Sequence, residues 1–319
     1  MENLKYFLKS KTLVEFLTKI KNNGIKQAYL FSSLDKDKNY ASCIFLSLIL
    51  NCKNNLCLNC PSCTKIINNN SVDLLVYPKS KTILVDDIEE IIETCNILPL
   101  ENDYKIYILN NFDEANITSQ NKFLKTLEEP PKNVIFLINS TKTDMILDTI
   151  KSRCEKIALP KLNKDEIENI ISSFNIEDDI ICLENCNGEI GNYLNLLNSK
   201  FSEKFKFCLN LLKNMNLSSE MLYYSTKILK DKGNLENYFD SFISIFNDIL
   251  VCKYDENKVK NKSSILEIKF LSEKFSEKAV NEILKNIIKS NNALSFNTNE
   301  SLVIDALLID ILEEKHKWN

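Results

Sequence analysis

Glycine is scarce in this chain: 319 residues hold four, Gly24, Gly188, Gly191 and Gly233. A loop that wraps phosphates needs glycine because its backbone must approach the anion without Cβ clashes, so a glycine-rich phosphate cradle is excluded wherever none is near. No run of about 18 apolar residues occurs, which excludes an evident membrane-spanning helix. The segment Met1–Ser10 mixes Lys and Glu with apolar residues. It lacks the apolar stretch of a secretory signal, so the expected compartment is the cytoplasm. An excess of basic charge is missing too, since 40 Lys and Arg face 44 Asp and Glu for a net charge of −4. That balance argues against gripping nucleic acid by charge alone; any DNA contact would be local or shared with partner subunits. Histidine occurs once, as His316 in a charged C-terminal stretch, and reads as a solvated side chain. Arginine also occurs once, as Arg153, against 39 lysines.

What is present is 44% hydrophobic and 26% charged, the balance of a soluble globular protein long enough for two or three cores. The 42 Asn, with Lys and Ile, read as a compositional bias of the source and not as a low-complexity tract. Thr12-Leu13-Val14-Glu15 reads as a capping box opening a first helix, with Gly24 just beyond its end. Five short β-prone runs follow, at Gln27–Phe31, Asp73–Tyr77, Lys105–Leu109, Val134–Ile138 and Lys156–Leu159. Helical patterns separate them, at Asn39–Asn51, Val85–Ile97, Thr118–Glu128 and Thr143–Lys151. Such alternation predicts a mostly parallel sheet with helical crossovers, ending near Pro160. From Asn163 onward every pattern is helical: a small unit to Ser199, then Phe201–Met215, Glu220–Lys230, Glu236–Cys252 and Glu300–Glu314. In the last, Leu302, Ala306, Ile309 and Leu312 recur at helical spacing, with Leu307 and Leu308 widening the stripe. Helical bundles of this kind pack and assemble; no catalysis is expected of the chain on its own.

After the first strand, Ser32-Ser33-Leu34-Asp35-Lys36-Asp37-Lys38-Asn39 stands in register with the phosphate-loop pattern G-x-x-x-x-G-K-[ST]. Ser32 and Asp37 take the glycine positions, Lys38 the lysine, and Asn39 the hydroxyl that would hold Mg²⁺. Asp35 and Asp37 put negative charge where phosphates would bind, so ATP binding is not expected. A second nucleotide-handling point fails as well. After Lys105–Leu109 an ATPase needs an Asp for Mg²⁺ and an acid to position water, but this strand runs into the neutral Asn110-Asn111. Asp113-Glu114-Ala115 falls three residues too late and reads as an acidic pair at a helix start.

Cys52, Cys57, Cys60 and Cys63 crowd into twelve residues, at spacings suited to a closed tetrahedral Zn²⁺ site that leaves no open position for chemistry. The alternative is four free thiols. The other seven cysteines are scattered and read as core thiols. Ser152-Arg153-Cys154 closes a helix just before the fifth strand. A chain that otherwise uses lysine draws here on a planar, bidentate cation, the chemistry of a finger that stabilises charge on a transferred phosphoryl group. The alternative is an ion pair with a nearby acid such as Glu155 or Asp148.

Leu124-Lys125-Thr126-Leu127-Glu128-Glu129-Pro130-Pro131, the strand Asn133–Ile138 and Ser152-Arg153-Cys154 together resemble the core signature of bacterial clamp-loader subunits. The cysteine cluster sits where that family carries a zinc module. The resemblance covers Gln27–Pro160, extends through Asn187-Gly188-Glu189-Ile190-Gly191 and is best matched in the tail at Asn297–Leu312. It implies an AAA+-like α/β domain with a five-stranded parallel sheet over residues 1–160, a helical lid over 161–200 and an all-α collar over 201–319. The family's ATPase subunits (tau/gamma) need an intact phosphate loop, an acidic pair and a lid arginine. This chain has Ser32 and Asp37, Asn110 and Asn111, and Gly191 in those places. The resemblance therefore implies the family's non-ATPase member. Its Arg153 would complete the ATP site of an adjacent tau/gamma subunit, in an assembly with the delta subunit that opens the sliding clamp and releases it on primer–template DNA. Three other readings stay open: an active ATPase with an unusual loop, a zinc-dependent nucleic-acid binder, and a purely structural collar protein. The Glu-Glu-Pro-Pro end of its helix can also simply be a helix stop, and it is assigned no role.

Overall fold

The computed structural model describes residues 4–54, 56–215, 218–231, 234–294 and 299–317. The chain divides into two compact units, one of Met1–Asn175 with Gly188–Gly191, the other of Ile176–Asn187 with Asn192–Asn319.

The first unit is built on a five-stranded sheet: β1 (Ala28–Ser32), β2 (Leu74–Tyr77), β3 (Lys105–Leu109), β4 (Val134–Ser140) and β5 (Glu155–Ala158). All neighbours are parallel in the order β2-β3-β4-β1-β5, with Leu30 opposite Ile138 and Ile108 opposite Leu137. The strands fall where the alternating pattern put them, within one or two residues at each end. β3 and β4 are buried along their whole length, so both faces need cover and their sequences are nearly continuously apolar. On one face Ala28, Leu30, Tyr107, Leu109, Phe136 and Ile138 pack with Ile88 and Ile91 of helix Val85–Thr94 and Phe123 and Leu127 of helix Ile117–Glu128. Phe123 meets Phe136 edge-on at 5.1 Å, an arrangement that adds about 1 kcal/mol beyond the area buried.

Several local expectations need correction. Ser10, not Thr12, caps the first long helix, Lys11–Asn22, accepting from the Leu13 N–H. Thr12 and Ser10 instead donate their hydroxyls to Glu166, at 2.8 and 2.7 Å, because its carboxylate can accept from both at once. Thr143–Lys151 is not one helix: a short turn at Thr143–Met145 and a four-residue helix at Asp148–Lys151 are parted where Gln120 holds the Leu147 N–H at 2.9 Å. Helix Val85–Thr94 stops three residues short of Ile97.

The second unit is helical throughout its described residues. Helix Leu235–Cys252 carries its core, with Phe239, Phe242, Ile245, Phe246 and Ile249 all buried. Helices Phe201–Asn214, Ile265–Lys274 and Glu277–Leu294 pack against it. A buried polar knot sits beside it: the Asp248 carboxylate accepts from the Lys260 and Asn261 N–H groups at 2.9 and 2.8 Å and from the Asn261 amide at 2.6 Å. Helix Glu300–Lys317 buries Ile304, Leu307, Leu308, Ile311 and Leu312, whereas Leu302 and Ile309 face outward. Of the expected stripe Leu307, Leu308 and Leu312 are packed, whereas the 302–306–309 row, which matched helical spacing equally well in a helix apolar most of the way round, is not. Asn297, the start of the matched tail, lies outside the described residues. Among the described residues no helix is long and apolar enough to cross a membrane.

Candidate functional site

Between β1 and the next helix the connection is only Ser33-Leu34-Asp35. The helix starts at Lys36 and runs to Asn51, so residues expected in an open loop are wound into its first turn. Asp35 causes this as its N-cap, accepting from the Lys38 N–H at 3.1 Å. Its other carboxylate oxygen accepts from the Gly191 N–H at 2.8 Å. Gly191 is required there, since a Cβ on it would lie 2.7 Å from the Asp35 Cγ. Asp37, by contrast, is exposed in the same first turn, and Ser32 ends β1.

The Lys38 side chain is fully buried, and its Nζ pairs with Glu189 Oε2 at 2.8 Å, that carboxylate being 4% exposed. Burial raises the Glu189 carboxyl above its ordinary value and the Lys38 cation pulls it back part of the way. Asp35 is raised by burial too, against the Lys38 and Gly191 N–H donors. Asn39 is spent internally: its amide donates to the Ser33 and Ser140 carbonyls at 3.1 and 3.0 Å and its oxygen accepts from the Ser33 hydroxyl at 2.8 Å. The Asp35, Lys38 and Asn39 side chains are thus all bonded within the unit. Glu189 was not singled out by the sequence; the only signal was a buried lysine's need for a counter-charge.

At the end of β3 the Asn110 N–H donates to Tyr77 O at 2.8 Å, and Asn111 takes a left-handed conformation with φ 52°. Asp113 and Glu114 do stand at a helix start, in the short 3-10 turn Phe112–Glu114, and both are bonded there. Asp113 accepts from the Thr141 hydroxyl and the Lys142 N–H, both at 3.2 Å, and Glu114 pairs with Lys36 at 2.7 Å. They tie β3 to the loop after β4 and to the first turn of helix Lys36–Asn51.

Cys52, Cys57, Cys60 and Cys63 come together, with all four sulfurs within 4.8 Å of one another. Cys52 ends helix Lys36–Asn51, Cys60 caps the short helix Pro61–Ile67, and left-handed turns at Leu56 and Leu58 fold the segment back. Cys52 and Cys57 lie 3.6 Å apart, close to the roughly 3.8 Å edge of a tetrahedron with 2.3 Å metal–sulfur bonds. Burial pushes the Cys52 thiol up, but N–H donors from Cys57 and Asn54 with the Cys63 and Cys57 thiols outweigh it and bring it to about 6. Cys60 is lowered by the Cys63 N–H. Cys63 is pushed up instead, chiefly by burial, so backbone donors favour the thiolate at Cys52 and Cys60; the four sulfurs lie close enough together to hold a thiophilic metal ion. The other seven cysteines are buried thiols outside any disulfide, and burial takes Cys154 up to about 12.

Arg153 lies past the end of helix Asp148–Lys151, before β5. Its guanidinium does not pair with Glu155 or Asp148. It binds Glu128 through Nη2 and the Thr149 carbonyl through Nη1 at 2.7 Å, with the Ser152 hydroxyl at 3.5 Å. The side chain remains 31% exposed. His316 is exposed.

Residues 8–163 match the protein family described as DNA polymerase III, delta subunit. DNA polymerase III subunit delta' of Bacillus subtilis (strain 168) is 23% identical over 310 residues, 92% of this chain and 93% of that protein. DNA polymerase III subunit gamma of Buchnera aphidicola subsp. Baizongia pistaciae (strain Bp) is 29% identical over 195 residues, 60% of this chain. DNA polymerase III subunit tau of Bacillus subtilis (strain 168) is 31% identical over 163 residues, 48% of this chain. The chain spans about half the length of that gamma subunit (51%) and 29% of that tau subunit. The fold, a parallel α/β domain with a helical region after it, and these matches define a class, the replicative clamp-loader subunits. The family match over residues 8–163 and the likeness to delta' along nearly the whole chain support a clamp-loader subunit of the DNA polymerase III type.

Proposed function

We propose that the chain is the delta-prime type of subunit: a non-ATPase member of the clamp loader that lends Arg153 to the ATP site of a neighbouring tau/gamma subunit. The observation that carries the reading is the closed phosphate-loop region. Lys38, the one cation in register for a phosphate, is sealed against Glu189, and Asp35 is locked to Gly191. A chain built this way has no obvious use for an arginine finger on its own nucleotide, whereas Arg153 is partly exposed. The match along nearly the whole length of a delta' subunit supports the same reading. In this role residues 1–160 form the AAA+-like domain, 161–200 the lid and 201–319 the collar that joins the tau/gamma and delta subunits. The sliding clamp and primer–template DNA are then met within the assembly. The metal held by the four cysteines is a structural Zn²⁺, which closes the 52–63 segment and takes no part in chemistry.

The test is the DNA-stimulated ATPase rate of a reconstituted loader carrying Arg153→Ala, with assembly checked by gel filtration. Removal of a trans finger is expected to lower kcat by about 10³-fold or more with assembly intact. An unchanged rate would leave a purely structural subunit.

A further inference from the structure

We infer that Glu128 is a positioning residue for Arg153, holding the guanidinium in the orientation in which it meets the neighbouring subunit's nucleotide; this rests on the trans-finger reading above. The sequence treated Glu128 as part of a helix stop, yet it is the acid that the solitary arginine selects over the nearer Glu155 and Asp148.

Both partners stand on fixed backbone. Glu128 is the last residue of helix Ile117–Glu128, whose penultimate Leu127 is buried in the core of the unit. The Pro130-Pro131 turn that follows is pinned by Gln27, whose amide donates to the two proline carbonyls at 3.3 and 2.9 Å, just ahead of β1. Arg153 is bracketed by Ile150 and Cys154 of the same core, and its own N–H donates to Ile150 O at 3.0 Å. Gln120, on the helix that carries Glu128, also bridges to the Arg153 side, donating to Met145 O at 3.1 Å and accepting from the Leu147 N–H at 2.9 Å. The two side chains therefore meet with little freedom in either backbone.

A free arginine samples many rotamers, and a finger that must be ordered at each encounter loses rate. Glu128 takes one Nη2 donor and the Thr149 carbonyl one Nη1 donor. Guanidinium carries five N–H donors; with Nη1 also reaching the Ser152 hydroxyl at 3.5 Å, two remain for phosphate oxygens while the plane stays fixed. An exposed pair of this kind is weak, so it orients the cation without competing strongly against a multiply charged phosphate.

The experiment uses the reconstituted loader with ATP, Mg²⁺ and primer–template DNA, and compares Glu128→Ala, Glu128→Gln, Glu128→Asp, Arg153→Ala and the Glu128→Ala/Arg153→Ala pair. Glu128→Ala is expected to lower kcat about tenfold with KM for ATP nearly unchanged, an orientation effect smaller than loss of the finger itself. Glu128→Gln keeps an oxygen in reach and recovers most of the rate. Glu128→Asp keeps the charge but withdraws it by one methylene, and loses rate; it also serves if the alanine variant folds poorly. The double variant is expected to be no slower than Arg153→Ala. If Arg153→Ala is slow while Glu128→Ala and Glu128→Asp run at the native rate, the finger stands and the positioning role falls. A loss that adds to that of Arg153→Ala, or that appears in KM alone, overturns it likewise. A native rate for Arg153→Ala removes the underlying reading and this inference together.

Discussion

A fully buried lysine must find a counter-charge, and Lys38 finds it in Glu189, far along the chain but within the same unit. Such a pair adds little net stability, because desolvating two ions consumes most of their attraction, yet breaking it from one side strands a buried charge. Glu189→Ala is therefore expected to cost about 3–5 kcal/mol, read as a shift in the urea midpoint. Replacing both partners with apolar residues, Lys38→Met with Glu189→Leu, should cost much less than the single change. If the double variant is as unstable as Glu189→Ala, the ion pair is not the source of the loss. Gly191 belongs to the same local logic. Its backbone N–H holds the Asp35 carboxylate, which leaves no room for a Cβ.

At the scale of elements, the Cys52–Cys63 segment has few apolar residues to hold it, and three of its residues, Leu56, Leu58 and Cys60, are fixed by turn or cap geometry. A bound ion would supply the missing cohesion. One zinc per chain is expected by native mass spectrometry, and Cys60→Ser should lose it and speed amide exchange over residues 52–67 while the five strands stay protected. Retention of the metal by Cys60→Ser would break the four-thiolate reading. The sequence made this cluster legible because metal-ligand spacing is local. The five strands were legible for the same reason: β-prone runs separated by helical patterns need no knowledge of their partners. What escaped notice lay across distance. Glu189 for Lys38, Glu128 for Arg153 and Asp113 for Thr141 join residues 25 or more positions apart, and nothing in a one-dimensional pattern pairs them. The start of helix Lys36–Asn51 was missed differently. Reading the segment as a failed phosphate loop hid the simpler fact that Asp35 is a good N-cap, which winds Lys36–Lys38 into helix.

For the whole molecule, the decisive contrast is between what the chain does with nucleotide alone and what it would contribute in the proposed assembly. Any ligand that binds the folded form and not the unfolded one raises stability, by about 2.7 kcal/mol at a concentration one hundred times its Kd. To bind ATP, this chain would have to separate Lys38 from Glu189, release Asp35 from Gly191 and unwind the first turn of helix Lys36–Asn51, leaving two buried carboxylates facing a polyphosphate. That cost falls on the ligand's apparent affinity, because only the opened fraction of the protein can bind. Millimolar ATP with Mg²⁺ should accordingly leave the Tm of the isolated chain unmoved, in the same assay where a tau/gamma subunit with an intact phosphate loop is raised by several degrees. A comparable rise for this chain, abolished by Lys38→Met, would mean that the region opens and that the protein is an ATPase subunit with an unusual loop. No shift in isolation, together with an Arg153-dependent rate in the reconstituted loader, would place the nucleotide on the neighbour and the cation on this chain.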